Sequence, residues 1–320
     1  MKRVLLALTM VAGLGFVLCA QTPRSTTPAP EPSTPVHKKL GPADIIMPHL
    51  VDSKHLELPC FRNLEEWGCA VTLPTWNVNV AGKIVDLGPT KHVVFLFLSA
   101  VIVGLTLVLT ARAHVRGTRA SGQPRGFAAG IEGVILYLRN TVYMPVLGGH
   151  GGEKYVPFCL TLFFFIAICN LFGLVPYGST ATGNVAVTGT LAAITFVTVE
   201  IAGMRALGKG YINTVVYWPH DMPLGMKLPL TLVMTPVEII GKFTKPFALT
   251  IRLFANMVAG HVIILVLIGL IFMFGWFVAP PAIAMALFIM LLELLVAFIQ
   301  AFIFSLLAAV FIGQIRASHH

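Results

Sequence analysis

TIRLFANMVAGH, Thr250–His261, sets an arginine and an asparagine inside a long apolar run. An arginine at the centre of a membrane helix costs about 2.5–3.5 kcal/mol on insertion scales. Whether the surrounding run is a membrane helix therefore decides how the chain is read. The run extends from about Thr231 to Phe274, interrupted by Pro236 and Pro246. It is longer than the roughly 20 apolar residues that a bilayer crossing needs. The whole chain agrees: of 320 residues, 57% are hydrophobic and only 11% charged, and the mean hydropathy is +0.85. That composition excludes an ordinary soluble domain. The net charge of +9 does not point to nucleic acid, because much of it lies in short loops beside apolar runs, where basic residues set membrane topology.

Four further spans are expected from the same criterion: His92–Thr110, Tyr155–Tyr177, Asn184–Met204 and, after a break at Phe274-Gly275 to Pro280-Pro281, Ala282–Gly313. Residues 127–146 are amphipathic and suit a helix lying along the membrane face. Residues 210–230 read as a Pro-broken connection. The expected fold class is an all-α polytopic membrane protein with about five transmembrane helices. The last two are long and tilted and form an antiparallel hairpin around a Pro-Pro turn. Arg112, Arg116, Arg119 and Arg125 follow the first span, Arg205 and Lys209 the third, and Arg316 the last. The positive-inside rule puts these on the cytoplasmic side, with the mature amino terminus outside.

Residues 1–20 read as a signal peptide: Lys2 and Arg3, an apolar core, and a small Ala20 at the cleavage position. An uncleaved anchor is the alternative. Residues 21–40 form a Pro-rich linker, 41–90 a small extracytoplasmic segment, and 91–320 the membrane domain. Within 41–90, alternation in VTLPTWNVNVAGKIV suggests one or two short strands turning at Ala81-Gly82, and Trp67 and Trp76 suit the membrane interface. Of five cysteines, Cys159 and Cys169 suit small apolar roles in a span. An exported Cys60–Cys69 pair favours a disulfide over two free thiols. His37, His49 and His55 are too loosely spaced for a metal site, and neither a metal nor a cofactor is expected.

From Leu253 to Ile315 only His261 and Glu293 titrate usefully, and such groups often mark ion pathways. Glu238, Lys242, Lys245, Leu249, Arg252 and Asn256 step by three or four, one stripe on a continuous helix. Glu238 and Lys242 make a favourable i,i+4 pair. Glu293 and Gln300 lie two turns apart on one face. Counting residues back from the turn pairs Arg252 with Gln300 and His261 with Glu293. At about 100° per residue, His261 falls on the side opposite Arg252. Arginine does not release its proton, whereas histidine titrates near neutrality. The pattern reads as a fixed charge beside a polar relay. Helix-bonding amides at Asn256, Gln300 and Asn170, a static Glu293–His261 pair, a snorkelling Arg252 and an interfacial Glu200 are the bland alternatives.

RLFANMVAGH, Arg252–His261, resembles the signature of subunit a of F-type ATP synthase. PVEIIGKFTKPFALTIRLF (Pro236–Phe254), ELLVAFIQAFIFSLLAAVFI (Glu293–Ile312) and NLFGLVPYGSTATGNVAVT (Asn170–Thr188) extend the resemblance, which covers roughly residues 45–315. It implies a non-catalytic membrane subunit of a rotary synthase in a bacterial inner membrane. Protons would pass through two half-channels to and from carboxylates of the c-ring. Arg252 would separate the half-channels, and Asn256, His261, Glu293 and Gln300 would line the path. Glu200, Glu238, Lys245 and Asn170 are accessory polar positions. The implied partners are the c-ring, the subunit b peripheral stalk, the remaining subunits and membrane lipid, with no nucleic acid. Many relatives carry an acid where His261 stands and a histidine where Glu293 stands, an exchange that keeps the acid–imidazole pair. A sodium-coupled version is the nearest alternative. A secondary transporter predicts inverted repeats that the chain does not show. An intramembrane enzyme needs a nucleophile or metal constellation, and no HExxH or GxSxG occurs.

Overall fold

The computed structural model describes residues 55–58, 69–75, 77–80 and 83–86, then 88–120, 126–148, 151–175, 178, 181–214 and 224–317. The signal, the linker, the Cys60–Cys69 disulfide, His37, His49, Trp67 and Trp76 lie outside the described residues or, as with the side chains of His55 and Cys69, outside the described side chains.

Strands β1 (His55–Leu58) and β2 (Cys69–Thr72) form one antiparallel ladder. Strands β3 (Asn77–Val80) and β4 (Lys83–Asp86) form another, pairing Val80 with Lys83 on either side of the expected turn. The β1–β2 ladder was not foreseen. Among the described residues from Lys91 onward, all regular structure is helical. The order is α1 (Lys91–Ala120), α2 (Phe127–Tyr137), a π-helical stretch (Leu138–Tyr143), α3 (Met144–Leu147), α4 (Val156–Leu174), α5 (Val185–Leu207), α6 (Leu224–Phe274) and α7 (Ala279–Ala317). Five described helices are long and apolar enough to span a membrane. The apolar parts of the last two, 44 and 39 residues, would be ~65 and ~60 Å long at about 1.5 Å per residue. A hydrocarbon core of about 30 Å accepts them only steeply tilted.

Two boundaries differ from expectation. The prolines do not break α6: one helix of 51 residues runs through Pro229, Pro236 and Pro246. An apolar surrounding makes any further loss of backbone pairing costly, so a membrane helix tolerates proline better than a soluble one. Thr250 Oγ1 donates to the Pro246 carbonyl at 3.0 Å. The hairpin turn is Gly275–Val278, with Gly275 at φ 77°. Pro280 and Pro281 instead open α7, in the first turn where a missing N–H costs nothing. Trp276 and Phe277 at this turn are 88% and 93% exposed, as suits an aromatic interface anchor.

Helix α7 is the central post, packing on α4, α5 and α6. Ala297, Ala301, Ser305, Ala309 and Gly313 recur every four residues and all are buried. Small residues at this spacing let membrane helices approach closely. Several threonines within the spans are satisfied locally: Thr161, Thr190, Thr195 and Thr198 each donate to the carbonyl four residues earlier. Asn184 caps α5 through the Ala186 N–H at 2.9 Å. Cys159 and Cys169 are free and buried, packed as small hydrophobes.

Tyr143, wholly buried, donates to Ser305 Oγ at 2.8 Å and ties the π-helical stretch to α7. Tyr143→Phe is expected to lower stability by about 1 kcal/mol, the net value of one such bond. The check is the thermal aggregation midpoint of the purified complex, which should fall measurably.

Candidate functional site

The inward face of α6 is apolar: Leu249, Leu253 and Met257 are each 2% exposed or less. Arg252 and Asn256, one position before two of them, are rotated about 100° and exposed. Arg252 stands near the middle of the apolar segment Leu228–Ile271. Among the described residues it makes no hydrogen bond or ion pair. Its outward neighbours Ala248, Ala255 and Ala259 are also exposed, and their small side chains leave room for a partner to come close to the guanidinium.

One of the two expected rungs between α6 and α7 is shifted, with Asn256 in the place of Arg252, while His261 lies beside Glu293 as counted. Asn256 Nδ2 donates to Gln300 Oε1 at 3.1 Å, whereas Arg252 was expected opposite Gln300. His261 Nδ1 lies 3.9 Å from Glu293 Oε1, close but beyond hydrogen-bond reach. His261 was expected on the far side of the helix from Arg252, yet it reaches the same neighbouring helix as Asn256. The reason is Gly260, four residues after Asn256 and hence on its face. A Cβ on Gly260 would stand 2.6 Å from Glu293 Oε1 and 2.7 Å from its Cδ. The missing side chain lets the carboxyl settle onto α6, within reach of the adjacent His261. Sequence reasoning missed Gly260, although its i+4 spacing from Asn256 was visible.

Glu293 and Gln300 are buried on α7. Neither carboxylate oxygen of Glu293, nor the Gln300 amide nitrogen, has a hydrogen-bond partner among the described residues. The two residues mark a polar lane of roughly 10 Å along the helix. Asn170 on α4 backs it, donating to the Ala297 carbonyl between the two residues at 3.2 Å and accepting from Thr182 at 2.8 Å. Asn170 therefore braces α7, the helix-bonding role weighed for it.

At the opposite end of α6 the expected Glu238–Lys242 pair is replaced. Lys242 Nζ lies 3.3 Å from Glu200 Oε2 on α5, because a cross-helix carboxylate that is nearly buried competes better than an exposed one on the same helix. Lys245 Nζ rests 4.9 Å over the Phe311 ring. Glu238, Lys242, Lys245 and Glu200 share the lining of one cavity. Among the described residues no cluster of His, Cys, Asp and Glu is arranged to hold a metal ion.

Fold and site together define a multi-pass helical membrane protein whose last two helices carry a polar lane and an outward-facing arginine at mid-span. Residues 93–313 match the family described as ATP synthase A chain. "ATP synthase subunit a 2" of Chlorobaculum tepidum is 43% identical over 279 residues, covering 86% of this chain and 74% of the relative. "ATP synthase subunit a" of Chloroherpeton thalassium is 46% identical over 231 residues, 72% of this chain and 67% of the relative. "ATP synthase subunit a" of an Anaeromyxobacter species is 41% identical over 297 residues, with 86% and 71% covered. The chain belongs to the ATP synthase A chain family.

Proposed function

We propose that the chain is the non-catalytic stator subunit of a rotary ATP synthase membrane sector, conducting protons through two half-channels to and from carboxylates of the c-ring. One observation carries this reading. A guanidinium that cannot discharge stands at mid-membrane, on an outward face, with no partner among the described residues of its own chain. Such a charge is costly in lipid and calls for an acidic partner on another subunit.

Arg252 attracts an arriving ring carboxylate, lowers its proton affinity and drives the proton off. The lane of Glu293, His261, Gln300 and Asn256 serves one side of Arg252. The cavity lined by Glu200, Glu238, Lys242 and Lys245 serves the other. The ends of α5 and α7, which carry Arg205 and Arg316, lie side by side, a Cβ on Gly203 meeting Ile315 at 2.7 Å; this basic end, with Arg112 near the end of the first span, faces the cytoplasm of a bacterial inner membrane under the positive-inside rule. The amino terminus of the mature chain is then outside and the carboxyl terminus inside. The peripheral stalk subunit b holds the chain against rotation. Chemistry on ATP belongs to partner subunits.

The test is ATP-driven proton uptake by inverted membrane vesicles holding the assembled complex, wild type against Arg252→Ala. Uptake lost while assembly and ATP hydrolysis persist supports the reading; unchanged uptake refutes it. A subtler variant tests the lane. In Gly260→Ala the new methyl displaces the far end of a flexible side chain, so the fold survives and the Glu293 carboxyl moves. Uptake is expected to fall by up to about a hundredfold, the effect of an ångström-scale misplacement at a transfer site. Wild-type uptake would show that the seat of Glu293 on α6 is irrelevant to transport.

A further inference from the structure

Helices α1 and α2 enclose a cavity of about 400 Å³ at the basic end of the first span. That is within the range of small-molecule pockets, about 300–1,000 Å³. Thr106, Leu109, Thr110 and Ala113 form its α1 wall, one helix face by their three- and four-residue spacing. Phe127 and Ala128, the first residues of α2, close the other side. Next to Ala113, His114 Nδ1 lies 2.7 Å from Glu132 Oε1 and ties α2 to α1.

Two polar groups in the lining lack partners. Arg112 is exposed and makes no hydrogen bond or ion pair among the described residues. Thr110 is only 7% exposed, yet its hydroxyl makes no hydrogen bond among the described residues either. It differs in this from the span threonines that bond the carbonyl one turn back. Buried hydroxyls are normally bonded. A ligand with several acceptor oxygens would satisfy both groups.

An apolar track leads to the same place. Val101, Leu105 and Leu109 are exposed on α1 at four-residue spacing, and Arg112 continues the row. From Val101 to Arg112 the helix rises about 16 Å, close to half of a hydrocarbon core of about 30 Å. The track is thus one leaflet long and ends at a cation. Phe127, 82% exposed, sets an aromatic ring where headgroups lie.

The surrounding charge selects among headgroups. Arg116, Arg119 and Arg125 follow Arg112 in the sequence, and no acidic residue occurs between Asp86 and Glu132. Glu132 is engaged by His114. A headgroup carrying its own cation finds no counter-charge here, whereas a net negative one meets opposite charge. Clusters of four or more basic residues just past a span attract anionic lipid in this way.

We propose that the α1–α2 cavity binds an anionic phospholipid of the leaflet on the basic side. Its phosphate sits on Arg112 and Thr110, and one acyl chain lies along Val101, Leu105 and Leu109. The guanidinium donates two N–H bonds to phosphate oxygens, and the Thr110 hydroxyl donates a third. The proposal needs only that the chain crosses a membrane and makes no use of the proton path.

The experiment places the assembled complex in phosphatidylcholine vesicles doped with photoactivatable phosphatidylglycerol or, in parallel, photoactivatable phosphatidylcholine. Cross-linked peptides of this chain are mapped by mass spectrometry. The glycerol lipid should label residues 101–128 at least about fivefold more than the choline lipid, the discrimination that one basic residue at a membrane surface provides. Arg112→Gln should bring its labelling down to the choline level. Thr110→Val should lower it about threefold, and Ala113→Leu, which fills the cavity and leaves the charges intact, should abolish it. Arg139→Gln is the control: Arg139 is an exposed arginine outside the cavity lining, and its variant should label as wild type. Equal labelling by the two lipids, wild-type labelling in any of the three cavity variants, or the same loss in Arg139→Gln overturns the proposal. Labelling by neither lipid would show that a neighbouring subunit covers the cavity, and overturns it too. Should Arg112→Gln not assemble, the comparison of lipids on wild type and the Thr110→Val result decide. None of these outcomes bears on the proton path, which Arg252→Ala tests by itself.

Discussion

Arg252→Ala is expected to leave a complex that assembles and hydrolyses ATP while proton uptake drops by about 10- to 1000-fold. A cation within a few ångströms lowers a carboxylate's pKa by about one to three units, and each unit is a factor of ten in the release equilibrium. On the proposed path, a ring carboxylate without the guanidinium has no reason to give up its proton at that point, and nothing separates the two sides. Assembly should survive because Arg252 makes no hydrogen bond or ion pair among the described residues, and its neighbours on the buried face, Leu249 and Leu253, remain. Alanine is also easier to insert into lipid than arginine. Arg252→Lys should be intermediate. It keeps a charge on a flexible stem but gives up the planar fork and the certainty of remaining protonated. Retained pumping in both variants would show that the residue is only a snorkelling cation.

Gly313→Leu is expected to remove the subunit from membranes. The smaller Gly313→Ala should lower stability by about 1–3 kcal/mol, the usual cost of overpacking. A Cβ at position 313 would run into the carbonyl oxygen of Val146, inside contact distance. That oxygen is backbone, so it cannot swing away as a side chain would. One turn further along α7, Arg316 donates to the Leu147 carbonyl at 3.3 Å, fixing the same short helix α3 against the post. The two joints would be pried open together. Gly241→Ala is the matched control: it also lies within a helix, but a Cβ there meets nothing within 4 Å, and alanine favours helix by about 1 kcal/mol. The thermal aggregation midpoint of detergent-purified complexes, with subunit abundance in membranes, distinguishes the two. Equal behaviour of Gly313→Ala and Gly241→Ala would show that the α3–α7 contact is not tight.

Hydropathy located the five spans and the long terminal hairpin, because desolvation in a bilayer depends on composition over about 20 residues and little on neighbours. Spacing put Arg252 and Asn256 on one face and brought His261 near Glu293. Residue counting could not set which rung of α6 faces which rung of α7. That depends on how far the prolines bend α6 and on where the turn begins, and the chain turns at Gly275 rather than at Pro280-Pro281. Hence Asn256, not Arg252, meets Gln300, and the guanidinium is left facing outward. Nor could local spacing show that Lys242 chooses Glu200 over Glu238. The two candidates are 42 and four residues away, and only the packing of α5 on α6 removes enough water to favour the distant one. Gly260 and the small residues of α7 belong to the same class: a missing side chain has no signal of its own until the neighbour that fills its space is in place.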